Sequence, residues 1–101
     1  MYDMNDLKKL PALGQLAPDV NKAFFAFDQA ALADGAIPKK YKELIAVAVA
    51  LTTQCPYCLQ IHKDAALKAG ASEEELAEVT FVAAALRAGA AVTHGTHVIE
   101  G

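Results

Sequence analysis

Apolar residues recur along this chain at helical spacing, and prolines and glycines cut the pattern into segments of helical length. Asp3 to Leu10 predicts a short helix that stops before Pro11. Pro18-Asp19 opens a second, carrying Phe24, Phe25, Phe27 and Leu32 and ending near Gly35. Those phenylalanines belong, on this reading, to a core or an interface. Pro38 begins a third helix reaching about Thr53, with the apolar stretch Leu44 to Leu51 at its centre. Pro56 begins a fourth, which Gly70 closes at the position just past the helix end. Ser72 with Glu75 three residues on is a capping box for a fifth. That helix carries Leu76, Val79, Phe81, Val82 and Leu86 and meets Gly89; a continuation to about Val98 is open. No segment alternates like a strand, so the predicted fold class is all-α.

The third and fourth helices carry the architecture. The connection from Thr53 to Cys55 is so short that they must fold back as a central antiparallel hairpin. At about 1.5 Å of rise per residue, His62 falls level with the stretch near Val47, and Glu43 lies about one turn further along. The two side chains are thus expected to meet, directly or through a water. Glu43 precedes the apolar run, so partial burial is expected, and burial would make it a better proton acceptor at neutral pH.

The densest chemistry lies in Cys55-Pro56-Tyr57-Cys58-Leu59-Gln60-Ile61-His62. Two thiols three residues apart can close a disulfide. His62 follows Cys58 by four residues, on the same helical face. With Pro56 in the first turn, Cys55 falls near the N-cap and Cys58 within the positive end of the macrodipole. A helix N-terminus and a basic neighbour are what convert a thiol into the reactive thiolate. Glu43, His62, Cys58 and Cys55 therefore form a candidate line of proton-transfer groups ending at a redox pair.

Composition changes this picture in three ways. A chain of 101 residues is one domain, residues 1–101, and 54% hydrophobic residues on so small a body point to surface hidden in an oligomer interface. A formal charge of −3 argues against nucleic-acid binding, which needs a basic stripe to neutralise phosphates, so no nucleic-acid partner is expected. Lys39, Lys40 and Lys42, the only dense basic cluster, read as a solvated helix face. The longest unbroken apolar run, Leu44 to Leu51, is far shorter than the roughly 20 residues of a membrane span. Met1 to Asp6 lacks the features of a signal peptide, so a cytoplasmic protein with no membrane partner is expected. In a reducing cytosol a Cys-x-x-Cys pair reads as catalytic or metal-binding.

The pattern Lys42-Glu43-Leu44-Ile45-Ala46, twelve residues from Glu43 to Cys55, then Cys-x-x-Cys-x-x-x-His, resembles the AhpD-like alkylhydroperoxidase branch of the carboxymuconolactone decarboxylase superfamily. Ala65 to Ser72 and Glu74-Glu75 through Glu78 resemble it too, and the likeness covers roughly Phe24 to His97. The resemblance implies an AhpD-like helical domain that assembles as a homotrimer or homohexamer. It implies a thiol-dependent peroxidase or disulfide oxidoreductase without metal or haem, whose only redox group is a Cys55–Cys58 disulfide. Carried over, Cys58 is the peroxidatic thiol, Cys55 the resolving thiol, and Glu43 with His62 the proton relay. The partners are then a hydroperoxide and a dithiol reductant, such as a lipoyl group or a thioredoxin-like protein. A Cys-x-x-Cys at a helix start, taken alone, points instead to Cys55 as the exposed nucleophile. The best-known members carry a further histidine between the cysteines, where this chain has Tyr57. The decarboxylase branch generally lacks the cysteine pair.

Two other readings remain open at this level. Cys55, Cys58 and His62, with His94 or His97 as fourth ligand, are the donor types of a tetrahedral zinc site. A non-enzymatic oligomeric scaffold with inert thiols is the other.

Overall fold

A computed structural model describes residues 2–101. Among the described residues there are five α-helices and no strand. They are α1 (Leu10–Leu16), α2 (Pro18–Leu32), α3 (Lys39–Thr53), α4 (Pro56–Lys68) and α5 (Glu73–His94). A 3-10 helix, Met4–Lys9, precedes them, and another, Gly95–Val98, follows. The all-α expectation holds, and four of the helix starts lie at or beside the residues that the sequence marked.

The N-terminal region differs. Asp3 caps the 3-10 helix, accepting from the Asn5 N–H at 2.9 Å. Pro11 then sits in the first turn of α1 instead of following a helix. Proline is compatible with that turn because the first N–H groups have no intrahelical partner. α2 ends at Leu32, three residues before Gly35, where Ala33 turns extended.

The central hairpin forms as expected. Gln54 takes a left-handed conformation (φ 57°, ψ 48°) that ends α3, and its N–H returns to the Ala50 carbonyl. Cys55 then starts α4 directly. At the far end of α4, Gly70 has φ 101°, with the Gly70 N–H bonded to Leu67 O (3.1 Å) and the Ala71 N–H to Ala66 O (2.9 Å). That pair of bonds is a Schellman motif, whose left-handed position favours glycine. It folds Ala71 back beside Ala66, and both are buried with Leu44, flanked by Leu76 and Val79. The capping box at Ser72 and Glu75 closes in both directions, at 2.9 and 3.1 Å.

α3 packs chiefly against α4 and α5, presenting Leu44, Val47 and Ala50 at three-residue intervals. Two tethers hold α5 on α3. Lys40 Nζ pairs with Glu75 Oε2 at 2.9 Å near their N-termini, and Arg87 donates to the Thr52 carbonyl near the end of α3. α2 touches this three-helix unit lightly through α3, and the leading 3-10 helix touches α4. Gly14 lets α1 lie close on α2, since a Cβ there would stand 2.7 Å from Asn21 Nδ2.

The consequence is an extended chain with a thin core. The radius of gyration is 16.9 Å, against about 13 Å for a compact chain of this length. Phe24, Phe25 and Phe27 are exposed and take no part in the chain's own core. Phe81, Val82, Leu86 and Val92 stand free along α5, with Phe81 74% exposed. Glu73–Val98 is long and apolar enough to cross a membrane by length and composition alone. Counting unbroken apolar runs missed this, because Thr80, Arg87 and Gly89 interrupt the segment.

Candidate active site

Cys55 is the N-cap of α4, and its sulfur stands where a serine or aspartate oxygen usually does. The Cys58 backbone N–H donates to Cys55 Sγ at 3.2 Å. Extended backbone at Cys55 (φ −99°, ψ 101°) and Pro56 at the first helical position aim the sulfur back over the helix start. Negative charge is favoured there by the unpaired N–H groups and by the macrodipole. The Cys55 thiol is accordingly held below its ordinary value, first by the Cys58 side-chain hydrogen bond and next by the Cys58 N–H. Cys58 is pushed up, first by that same bond to Cys55 and then by burial. The pair thus titrates in two separated steps. Both thiols are free and half-buried.

Glu43, from the first half of α3, is 2% exposed. Its Oε1 lies 2.7 Å from His62 Nδ1. The meeting expected from hairpin register is direct, with no bridging water needed. An Nδ1–H donated to the carboxylate leaves Nε2 as the ring's basic atom, the arrangement by which an acid orients a catalytic imidazole. Oε2 faces Lys39 Nζ at 3.3 Å.

Cys58 and His62 line the same cavity, of about 510 Å³. Its walls are mostly apolar, with Leu7, Leu10, Phe24, Phe25 and Ile61 contributed by four different elements. Asp6, Asp28 and Tyr57 add polar groups. A largely apolar recess with a few converging polar groups is the usual form of a small-molecule site. Tyr57, between the cysteines, fixes one wall. Its O–H donates to Asp6 Oδ2 and its oxygen accepts from the Asp3 N–H, both at 3.4 Å. Its ring also meets that of Tyr2 edge-on, with centroids 5.6 Å apart. Tyr57 therefore draws the N-terminal segment onto the site.

A sequence model of the carboxymuconolactone decarboxylase family matches residues 18–101. The chain belongs to this family. A protein of the Paracoccus denitrificans cox locus, itself named only as uncharacterized, is 41% identical over 102 residues, covering 98% of this chain and 92% of its own. An uncharacterized Haemophilus influenzae protein is 42% identical over 93 residues, covering 92% of this chain and 82% of its own. Among solved structures, a carboxymuconolactone decarboxylase family protein from Legionella pneumophila superposes with a TM-score of 0.76 at 38% identity, covering 79% of this chain and 71% of that one. A protein from Methanobacterium thermoautotrophicum does so with a TM-score of 0.80 at 35% identity, covering 85% of this chain and 97% of that one. Glu43, Cys55, Cys58 and His62 all fall inside the family match.

Within the family domain the four sequence-predicted residues stand on the α3–α4 hairpin as two pairs, Glu43 with His62 and Cys55 with Cys58, joined by the cavity that Cys58 and His62 line, and the two C-terminal histidines pair elsewhere. His94 and His97 lie against each other, with ring centroids 5.8 Å apart, and His94 Nδ1 is 3.0 Å from Ala90 O. Among the described residues, no group of three or more His, Cys, Asp or Glu side chains converges as metal ligands do. The zinc reading thus finds no converging ligand set among these residues. The lysine cluster needs correction as well. Lys39 meets Glu43, Lys40 meets Glu75, and Lys42 Nζ donates to Ala33 O at 2.6 Å. None of the three ammonium groups is simply solvated. Sequence reasoning passed over Lys39, although its four-residue spacing from Glu43 was there to be read.

Proposed function

We propose that this protein is an AhpD-like thiol peroxidase, reducing organic hydroperoxides through Cys58 and Cys55. The observation that carries the reading is the buried Glu43–His62 hydrogen bond, on the hairpin that puts His62 and Cys58 into one cavity. His62 Nε2 takes the Cys58 proton. The thiolate attacks the hydroperoxide, a sulfur–oxygen bond forms, and the oxygen–oxygen bond breaks. The sulfur becomes a sulfenic acid, and the alkoxide leaves as the alcohol with the proton from His62. Cys55 Sγ then attacks Cys58 Sγ, the sulfur–oxygen bond breaks, and hydroxide leaves as water with the Cys55 proton. The product is the Cys55–Cys58 disulfide.

An external dithiol, such as a lipoyl group or a thioredoxin-like protein, restores both thiols by two exchange steps and ends as its own disulfide. Cys58 is the sulfur the cavity presents to it. Cys55 is the better leaving group, because its thiolate is the one stabilised at the helix start. This division reconciles the two readings of the pair. The N-cap favours charge on Cys55, and the cavity and histidine favour chemistry on Cys58.

The working form in this proposal is a homo-oligomer, a trimer or hexamer, in a reducing cytoplasm. A compact monomer of 10.6 kDa exposes about 5,500 Å², whereas this chain exposes 7666 Å². The excess of about 2,200 Å² has the scale of an obligate interface. The free faces of α2 and α5 are its apolar surface.

The deciding experiment follows consumption of hydrogen peroxide and cumene hydroperoxide with dihydrolipoamide, in wild type and Cys58→Ser. Turnover that vanishes in the variant supports the peroxidase. Absent turnover, with rapid exchange between the Cys55–Cys58 disulfide and added dithiols, makes the protein a disulfide oxidoreductase instead. Thiols inert in both assays leave a scaffold.

A further inference from the structure

Lys39 occupies a place that helix stability does not favour. It is the first residue of α3, where the macrodipole disfavours a cation, and it precedes Glu43 by four residues, the weaker order for a helical ion pair. It is held there from outside the helix. The Asp34 carboxylate accepts from the Lys39 backbone N–H at 2.6 Å, supplying the cap that Pro38 has no side-chain group to provide. Lys39 Nζ then reaches Glu43 Oε2 at 3.3 Å and the Leu32 carbonyl at 3.4 Å. The two carboxylate oxygens of buried Glu43 are thus divided, one to His62 and one to Lys39.

We propose that Lys39 is a positioning residue of the thiol site: its ammonium holds Oε2 of the buried Glu43 carboxylate and so keeps Oε1 turned toward His62. It touches neither thiol, and it acts through Glu43. Of the remaining charged groups near α3, Glu78 of α5 and Lys63 of α4 line other recesses along the helix, and the rest are engaged or lie at the cavity. Glu75 of α5 is bound by Lys40 and Arg87 of α5 by the Thr52 carbonyl. Asp34 of the preceding loop holds the Lys39 N–H, while Asp28 of α2 and Asp6 line the cavity that His62 and Cys58 share. Cys55 lies against Cys58. Lys39 is therefore the cation whose removal acts on Glu43 directly. Without Lys39 the Glu43 carboxylate loses the ammonium that holds its second oxygen, and the His62 ring that serves Cys58 is less firmly oriented.

The inference deepens the relay reading of Glu43 and His62, but its test needs no peroxide turnover, so the two fail separately. Alkylation of Cys58 by iodoacetamide is followed from pH 5 to 9 by peptide-resolved mass spectrometry in the reduced full-length protein. The variants are Lys39→Met, Lys39→Gln, Lys39→Arg and Lys42→Met, with circular dichroism as the folding control. Lys39→Met and Lys39→Gln are expected to displace the profile toward slower Cys58 alkylation, by about tenfold at pH 7. Lys39→Gln keeps a donor for the Leu32 carbonyl, so it reports the charge even where Lys39→Met fails to fold. Lys39→Arg should restore the wild-type profile, and Lys42→Met, which removes an equal charge one turn from the same helix end, should leave it unmoved. A Lys39→Gln profile that superimposes on wild type overturns the proposal. So does an equal displacement in Lys42→Met, which makes the effect one of overall charge, or a displacement that Lys39→Arg does not reverse.

Discussion

Replacing Glu43 by glutamine keeps the side chain's shape and removes its charge, which makes it the sharpest probe of the proposed relay. In the wild type the carboxylate lies 2.7 Å from His62 Nδ1 in a place that is 2% exposed. In the proposed relay the bond is to a neutral ring before His62 takes the Cys58 proton and to an imidazolium afterwards. A hydrogen bond to a charged group contributes about 1.5–3 kcal/mol, against about 1 for a neutral pair. Losing the difference, about 0.5–2 kcal/mol, should slow Cys58 ionisation and attack by roughly 2- to 30-fold, at 1.36 kcal/mol per tenfold. Stability should respond differently. Glutamine removes a buried charge, and Lys39, whose side chain is 46% exposed, can hydrate when left alone. Thermal stability is therefore expected to stay level or rise while thiol reactivity falls. The assay is Cys58 alkylation at pH 7 resolved by peptide, alongside peroxide turnover, in Glu43→Gln, His62→Ala and the double variant. If the residues act as one unit, adding Glu43→Gln to His62→Ala should cost less than about twofold. Rates within twofold of wild type in the single Glu43→Gln protein, or fully additive losses in the cycle, would refute the relay.

Three further expectations test separate parts of the structure. Cys55→Ser should leave a Cys58 sulfenic acid that dimedone traps, with turnover lost; a dimedone adduct on Cys55 in Cys58→Ser, with full peroxide reactivity, would reverse the assignment. Thiolate absorbance at 240 nm should rise in two steps on either side of the ordinary thiol value of about 8.5, and Cys58→Ala should move the Cys55 step upward because the largest cause of its lowering is the Cys58 side chain. In that titration Cys58→Ser, which keeps a donor, should move it less. Phe81→Glu, at a position 74% exposed in the single chain, should lower the sedimentation mass toward that of a monomer, and an unchanged mass would remove α5 from the interface.

The proline-marked starts at Pro18, Pro38 and Pro56, the glycine end at Gly70 and the capping box at Ser72 were legible because each acts within about four residues along the chain. Local chemistry of that kind does not depend on what the helix later packs against. The Glu43–His62 meeting was legible for a related reason: a two-residue connection leaves antiparallel helices almost no freedom in register, so rise per residue sets which side chains face each other. Pro11 was misread because proline suits a first turn as well as it ends a preceding helix, and only the chain's path distinguishes the two.

The sequence by itself therefore determined α2 to α5, the hairpin register and the pairing of Glu43 with His62 and of Cys55 with Cys58. Tertiary structure alone decided the surroundings of that quartet. It set the near-complete burial of Glu43, the turn of Lys39 toward it from a helix end, and the wall that Tyr57 and Asp6 build across 51 residues of chain. It also left the aromatic face of α2 and the length of α5 uncovered. These depend on how each helix is rotated and tilted against its neighbours. A repeating apolar pattern says that a face must be buried, and only packing says whether the chain or another copy of it does the burying.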